Sequence, residues 1–493
     1  MKSAVALCLS AGIAAAGPAF EDRSSALPPH SYTGDWEHFV GGGIAVFDCN
    51  GDALPDIFAA GGAAPASLIL NTSEFTFTAG GVPTLTGVTG AYPIDINSDG
   101  HIDLFVLRVG GNVVLKGTGD CQFTDATAEW GIPAGDAWST AFTAWWDAGQ
   151  ARPVLAVGNY VDRDDPDGPF EACDSNALLW PAERGYTRET LEPGFCALSI
   201  LAARDARGRP ALRLSNDRHY YVRAGHEQMW DIAERRFLTE QDGWERTALW
   251  GMGIASRDLT GDGRDEVMLT SMGDQLMQIA QSDGSYANAP YGIGTYAHRP
   301  YTGEDGRPST GWHAEFGDVD NDGLADLFIA KGNVDQMPGM ATRDPNNLLM
   351  QRPDGTFTEA GVEAGIATVD RSRGGALADF DGDGLLDLIV SNRRAPLELY
   401  RNITEASGNW LRIDLRQKTG NRNAIGAVIT VTTAGKTQSV QHVIGGGHAG
   451  GQLLPRHFGL GTAKHAEVRV EWPDGSVSQH EAQAGQTLRI TKL

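Results

Sequence analysis

Five stretches of this sequence repeat one pattern of oxygen-bearing side chains. The clearest is Asp379-Phe380-Asp381-Gly382-Asp383-Gly384-Leu385-Leu386-Asp387, with carboxylates at the first, third, fifth and ninth places. Alternation keeps the odd residues on one side of a tightly turning backbone, where their oxygens can converge. A hard dication such as Ca²⁺ takes about six to eight oxygens at short range. Four carboxylates gathered without it repel one another. Glycine at the sixth place supplies the backbone conformation of the turn, and the seventh residue offers only its carbonyl. The run that follows, Leu388-Ile389-Val390, is short, apolar and partly β-branched, which predicts a strand rather than a helix.

The same pattern places Asp48, Asn50, Asp52 and Asp56 in a first loop, and Asp95, Asn97, Asp99 and Asp103 in a second. Asp258, Thr260, Asp262 and Glu266 form a third, with threonine and glutamate replacing two of the aspartates. Asp318, Asp320, Asp322 and Asp326 form a fourth, and Asp379, Asp381, Asp383 and Asp387 the fifth. These are the expected ligands of about five Ca²⁺ ions. Two degenerate copies, beginning at Asp147 and Asp205, keep the first aspartate and the following strand but lose the other ligands.

The elements that position these loops recur with them. A Gly/Ala-rich strand such as Gly42-Gly43-Ile44-Ala45-Val46-Phe47 enters each loop and a second leaves it. A third resembles Asn347-Leu348-Leu349-Met350, and after Pro353-Asp354-Gly355 a fourth lies around Thr356-Phe357-Thr358. Units begin near residues 48, 95, 147, 205, 258, 318 and 379. Four short antiparallel strands in a unit of about 50 residues describe a propeller blade. The expected fold is therefore all-β: a seven-bladed β-propeller over residues 31–405, followed by a small β-sandwich or barrel over 409–493. The last unit stops after Leu397-Glu398-Leu399-Tyr400, so Ser31-Tyr32-Thr33 is expected to supply its fourth strand and close the ring.

These units resemble the FG-GAP/VCBS repeats also found in integrin α-subunit propellers. From Asn409 onward the chain resembles the ASPIC/UnbV domain. That likeness is carried by Asn409-Trp410-Leu411, Asn421-Arg422-Asn423-Ala424-Ile425-Gly426-Ala427, His457-Phe458-Gly459-Leu460-Gly461 and Trp472-Pro473-Asp474-Gly475. The combination is similar to the cartilage acidic protein 1 family and its bacterial relatives. The excess of arginine over lysine suits a bacterial member. The resemblance implies secretion and calcium binding, without a common activity for the family. UnbV-type relatives are associated by name with enediyne biosynthesis.

Composition narrows the partners. The net charge is −24 over 493 residues, which disfavours nucleic acid and anionic membrane surfaces because phosphate binding needs a basic face. Residues 1–19 read as a signal peptide, with Lys2 ahead of an apolar stretch over 4–16 too short to span a bilayer. Cleavage before Phe20 is expected, with a cut after Ala16 the alternative. No later segment is long and apolar enough for insertion in a membrane, so a periplasmic or secreted location follows. Four cysteines remain, as an exported protein permits. Cys173 and Cys196 bracket a local insertion and are expected to pair, whereas pairing of Cys49 with Cys121 stays open.

No nucleophile elbow, zinc-binding helix motif or phosphate loop is present. His38, His313 and His448 are isolated in sequence and read as structural. Trp145, Trp146, Trp250 and Trp312 read as packing between blades rather than as a sugar platform. The run Gly445-Gly446-Gly447-His448-Ala449-Gly450-Gly451 reads first as a tight loop against a neighbouring strand and second as a binding loop. An acidic insertion, residues 159–168, is placed between blades three and four, where it either caps a face or is a solvated loop. The expected function is an exported, calcium-binding interaction module for an extracellular or periplasmic macromolecule. The alternative is a secreted enzyme or biosynthetic accessory protein with a site in the propeller channel.

Overall fold

The computed structural model describes residues 17–492, apart from 74, 166–171, 218–224, 297–298, 302–304, 335–336 and 406. The signal-peptide reading of residues 1–16 falls outside the described residues. Strands such as Ile44–Phe47, Val88–Ile94 and Ser372–Ala378 are buried at every residue. Apolar and small side chains fill them because both of their faces are covered. Each begins a run of four antiparallel strands that pair in chain order or, for Ser372–Ala378, three such strands and an N-terminal one, and the described residues form seven such blades. Innermost strands of successive sheets pack together, and the seventh packs on the first. The chain is a β-propeller whose core lies between its blades. One cluster, for example, joins Ile44, Ile57 and Ile69 of blade one to Ala376, Ile389 and Leu399 of blade seven.

Two expectations require correction. The seventh sheet is completed by Phe20–Asp22, antiparallel to Glu398–Asn402, and not by Ser31-Tyr32-Thr33. The latter make only single bridges to Pro396, Arg393 and Gly62. They are drawn inward because the chain after them runs to the axis, where Arg393 Nε donates to the carbonyl of His38 and Tyr32 Oη to that of Val40. The propeller thus begins before residue 31. The acidic insertion lies within blade three, between Val154–Asn159 and Asn176–Pro181, and not between blades three and four. Residues 166–168 of it fall outside the described ones. Cys173 pairs with Cys196 as expected, pinning the insertion to the start of blade four. Cys49 pairs with Cys121, joining the first acidic loop to blade two.

The C-terminal domain is a sandwich. Asn409–Arg416 lies between Arg456–Gly461 and Gln486–Thr491 in one sheet, and Lys436–Gln441, Val428–Thr433, His465–Glu471 and Val477–Gln483 form the other. Leu411, Ile413, Ile429, Phe458, Val468 and Trp472 fill the space between them. The domain is not a separate bead on the chain. Its glycine-rich loop leaves the sandwich and enters the propeller axis, bridging Ala144, Leu201, Ile254 and Ala91 in turn. Gln452–Leu453 then adds a fifth, parallel strand to blade one. The approach is backbone on backbone. A Cβ on Gly43 or Gly90 would lie 1.9 or 1.6 Å from the carbonyl oxygen of Ala449, so any other residue would expel the loop. The glycine run is the tight loop expected of it.

Candidate metal centre

All five acidic loops connect the first and second strands of a blade, so all emerge on the face that carries the C-terminal domain. Within each, the odd side chains make a repeating ladder. The first aspartate accepts from backbone N–H groups ahead of it: Asp48 from Gly51 and Ala53, Asp95 from Asp99 and Gly100, Asp258 from Gly261 and Gly263. Asp318 accepts from Asp322 and Gly323, and Asp379 from Gly382 and Gly384. The third residue caps the fifth, as Asn50, Asn97, Asp320 and Asp381 accept from the N–H of Asp52, Asp99, Asp322 and Asp383. Thr260 stands at this place in blade five. The fifth caps the seventh, as Asp52, Asp99, Asp262, Asp322 and Asp383 accept from Leu54, His101, Arg264, Leu324 and Leu385.

The ninth residue opens the second strand and ties the loop to the rest of its blade. One oxygen of Asp56, Asp103, Asp326 and Asp387 accepts from the second loop residue, and the other from the third strand at Asn71, Gly117, Gln351 and Asn402. Glu266, one methylene longer, reaches the N–H of Leu259 with Oε2 and leaves Oε1 buried without a partner. The third-strand asparagines extend the tie, since Asn71 Nδ2 donates to Phe380 O of blade seven and Asn402 Nδ2 to Val319 O of blade six.

The residues fit a hard dication to different degrees. Oxygens of Asp318, Asp320 and Asp326 lie within 4.8 Å of one another, as do those of Asp379, Asp381 and Asp387. Among the described residues, the first, second and third loops do not bring three carboxylates so close. Carboxylates that spend two oxygens on N–H groups still keep spare lone pairs. Their environment is hostile to bare charge. Burial first, and neighbouring carboxylates second, push Asp318 and Asp326 well above the ordinary carboxylate range. Burial also moves Asp103 up to about 8 and Asp56 and Glu266 to about 7. A bound cation would reverse that penalty.

Cationic side chains, which the sequence pattern did not disclose, already occupy part of this role. In blade seven Arg401 reaches Asp381 at 2.6 Å and Arg412, from the C-terminal domain, reaches Asp379 at 3.0 Å. In the degenerate loop of blade four, Arg209 pairs with Asp205 at 2.9 Å and with Asp231 at 3.5 Å. Its guanidinium stands where the other loops present acidic side chains. The signal was legible as Arg207 and Arg209 replacing acidic positions. In blade three Asp147 accepts from Trp145 Nε1.

The acidic face is also the interdomain face. His457 Nε2 contacts Asn321 Oδ1 at 2.7 Å, Gln441 donates to Asp265 and Arg422 Nε donates to the carbonyl of Ser98. Gly459 approaches Asp318 so closely that a Cβ there would lie 1.9 Å from Oδ2. Deeper in, two of the isolated histidines meet, for the His448 N–H donates to His313 Nδ1. His448 also contacts Met252 O through Nδ1 and accepts from the Gly41 N–H through Nε2. Trp312 is buried beneath Arg373, whose guanidinium sits 4.1 Å from the ring centroid, so it packs rather than presents a platform.

Family models agree with this division of the chain. Residues 48–106 and 318–390 match the FG-GAP-like repeat, and residues 417–493 match the ASPIC and UnbV model. The chain carries FG-GAP-like repeats and an ASPIC and UnbV domain. It is 30% identical to human cartilage acidic protein 1 over 180 residues, 36% of this chain and 27% of that one. Against the Mus musculus protein it is 32% identical over 164 residues, 32% of this chain and 25% of the relative. The matches therefore span about a quarter of each relative's length. Among solved structures, BBS1N in complex with ARL6DN aligns with 77% of this chain and 95% of that chain, at 11% identity and a TM-score of 0.44.

Proposed function

We propose that this FG-GAP and ASPIC/UnbV protein is an exported interaction module whose acidic loops bind Ca²⁺ as structural ions. The observation that carries the reading is the position of those loops, between blade strands and against the C-terminal domain. Ions there would neutralise buried carboxylates, fix the loop that joins two strands of a blade and stiffen the surface on which the sandwich rests. Ligands drawn from Asp318, Asp320, Asp322 and Asp326 form the most complete set, and blades three and four contribute none. Neighbouring groups are backbone amides, packing residues and, in blade seven, the paired Arg401 and Arg412, which suits a structural ion better than a catalytic one. The rigid ring would then present its remaining surface to an extracellular or periplasmic macromolecule.

Export is supported by the two disulfides, and among the described residues no helix is long and apolar enough to cross a membrane. The fold also bears on where a leader would end. Ala19 accepts from the Ile403 N–H at 2.8 Å and donates to Thr404 Oγ1 at 3.1 Å. A cut after Ala16 preserves these contacts and a cut after Ala19 removes them, so the earlier site is preferred. The test of the calcium reading is thermal unfolding of the intact protein with excess Ca²⁺ and then with chelator, alongside a metal count. Bound ions raise the melting temperature by linkage. An unmoved melting temperature and a metal count near zero would sink the proposal.

A further inference from the structure

Where the sandwich meets the acidic face it does not fill the space. A chamber of about 950 Å³ remains between the blade loops, the glycine-rich loop and the strands Asn409–Arg416 and Arg456–Gly461. Its size lies within the range of small-molecule sites. Although the chain is strongly acidic, the chamber is lined by six arginines against four carboxylates.

Three of those arginines pair with carboxylates, and Arg422 donates to the carbonyl of Ser98. Arg412 pairs with Asp379, and Arg416 and Arg489 both pair with Asp414. Arg257 and Arg456 differ. Arg257, at the end of the inner strand of blade five, is 8% exposed. Its contacts are Gln438 Oε1 at 3.4 Å and the Phe458 ring at 5.6 Å. Arg456 donates through Nε to His442 Nδ1 and through Nη2 to the carbonyl of Val443, both at 2.8 Å. Among the described ion pairs neither has a carboxylate. Glu315, the carboxylate whose charge acts on Arg456, is occupied by Gln452 Nε2 at 2.6 Å and the Leu377 N–H at 3.1 Å. The carboxylates whose charge acts on Arg257 are likewise occupied, Asp318 first, by the Asp322 and Gly323 N–H groups, and then Asp265, by Ser256 and Gln441.

Holding a desolvated guanidinium without a direct ion pair is unfavourable, and here two are held in one chamber, one from each domain. The planar fork of arginine matches the two oxygens of a carboxylate, phosphate or sulfate. We infer that the chamber binds a small anionic molecule whose carboxylate, phosphate or sulfate group is held jointly by Arg257 of the propeller and Arg456 of the sandwich. The remaining volume accommodates an organic body larger than the anion itself. Arg416 and Arg489, with side chains 39% and 69% exposed, mark the entrance. The ligand would bridge the domains at a point where a guanidinium from each makes no direct ion pair.

The experiment is calorimetric titration of the intact, Ca²⁺-loaded protein with sodium sulfate and with sodium succinate, each against sodium chloride at matched ionic strength. Saturable binding of at least one probe is expected. Sulfate binding more tightly would point to a phosphorylated or sulfated ligand, and succinate to a carboxylate. Arg257→Gln and Arg456→Gln should each weaken binding tenfold or more, whereas Arg235→Gln, on the outer part of blade four, should leave it within twofold. Arg257→Lys keeps the charge but not the fork, and should also weaken binding tenfold if the packing against Phe458 does not tolerate glutamine. Melting temperatures in chloride identify which variants fold. Absence of saturable binding of both probes by the unaltered protein overturns the inference, as does less than tenfold weakening in the folded Arg257 and Arg456 variants.

Discussion

Blades four and six solve the same local problem with different charges. Each has an inner strand, a tight loop opening on an aspartate, and a second strand that must leave in the opposite direction. Blade six gathers three carboxylates within 4.8 Å and has Asn321 and Gly459 packed around them. Blade four places Arg209 across Asp205 and Asp231 instead. A guanidinium built into the chain is present at any calcium concentration, whereas an acidic loop that takes up the proposed ion would make local stability depend on it. The glycine-rich loop is a second source of support, bridging the inner strands of blades three and four at Ala144 and Leu201 and those of blades five and two at Ile254 and Ala91. The ring is therefore held by two mechanisms, one proposed to respond to metal and one independent of it.

The largest effect should come from breaking the acidic member of the pair. Asp318→Ala removes the acceptor for Asp322 and Gly323 and leaves a void against Gly459. A loss of about 3 kcal/mol is expected in denaturant melts with calcium, with one fewer ion bound per chain. Asp147→Ala, in blade three, should stay within about 0.5 kcal/mol and leave the metal count unchanged. Equal effects on the count would erase the distinction between the two kinds of blade.

The metal-independent support can be probed with pH. His448 is fully buried in the axis, facing Gly41, Met252, Trp312, His313 and Arg373. Burial holds its imidazole down to about 3 from the ordinary value of 6.5, with Arg373 adding to the shift. Below pH 6.5 the unfolded chain takes up a proton that the folded one refuses. The stability associated with neutral His448 is thus complete above 6.5 and is lost as pH falls toward 3, at up to about 1.4 kcal/mol per pH unit. Urea melts at pH 7 and pH 5 should show this in chelator as well as in calcium. His448→Gln should lose about 2 kcal/mol at pH 7 and fall less steeply between the two pH values. A variant slope equal to that of the unaltered protein would remove His448 from the account.

Blade four offers a smaller and cleaner contrast. Arg209→Ala leaves Asp205, whose side chain is 6% exposed, beside Asp231 without their shared cation. Arg209 itself is 41% exposed, so water replaces part of the loss and about 1–2 kcal/mol is expected. The difference between calcium and chelator melts should be the same as in the unaltered protein, because this loop does not depend on the ion.

Much of this architecture was legible because it repeats. Five near-identical loops, each followed by an apolar run, located the first two strands of their blades, and Asp147 and Asp205 located those of blades three and four. The C-terminal strands announced themselves by alternation. What escaped detection had no local pattern. Phe20–Asp22 is three residues long and carries two acids, so nothing in its composition marks it as the strand that completes a sheet begun some 350 residues later. The glycine run predicted close approach to a strand, but its partners Gly43 and Gly90 lie hundreds of residues away. Arg257, Arg412 and Arg456 were equally silent, because their importance arises only when the sandwich docks on the propeller.

The smallest predicted effect tests the loop geometry itself. The sixth residue is left-handed in all five acidic loops, with φ of 93, 83, 89 and 90° at Gly100, Gly263, Gly323 and Gly384. Loop one has Ala53 there at φ 70°, where a Cβ crowds the following carbonyl and costs about 1 kcal/mol. Ala53 is exposed, so its methyl contributes little packing in return. Ala53→Gly relieves the strain but gives the unfolded chain more freedom. The first term should win by about 0.5 kcal/mol, visible as a small rise in the denaturation midpoint at constant slope. The same relief should act on ion binding, because the loop is released from strain in the conformation that brings Asp48 and Asp52 together. Calcium affinity at loop one should therefore rise by no more than about twofold, while Gly323→Ala in blade six should lower both stability and affinity. If Ala53→Gly instead destabilises the protein, unfolded-state freedom outweighs strain at this position.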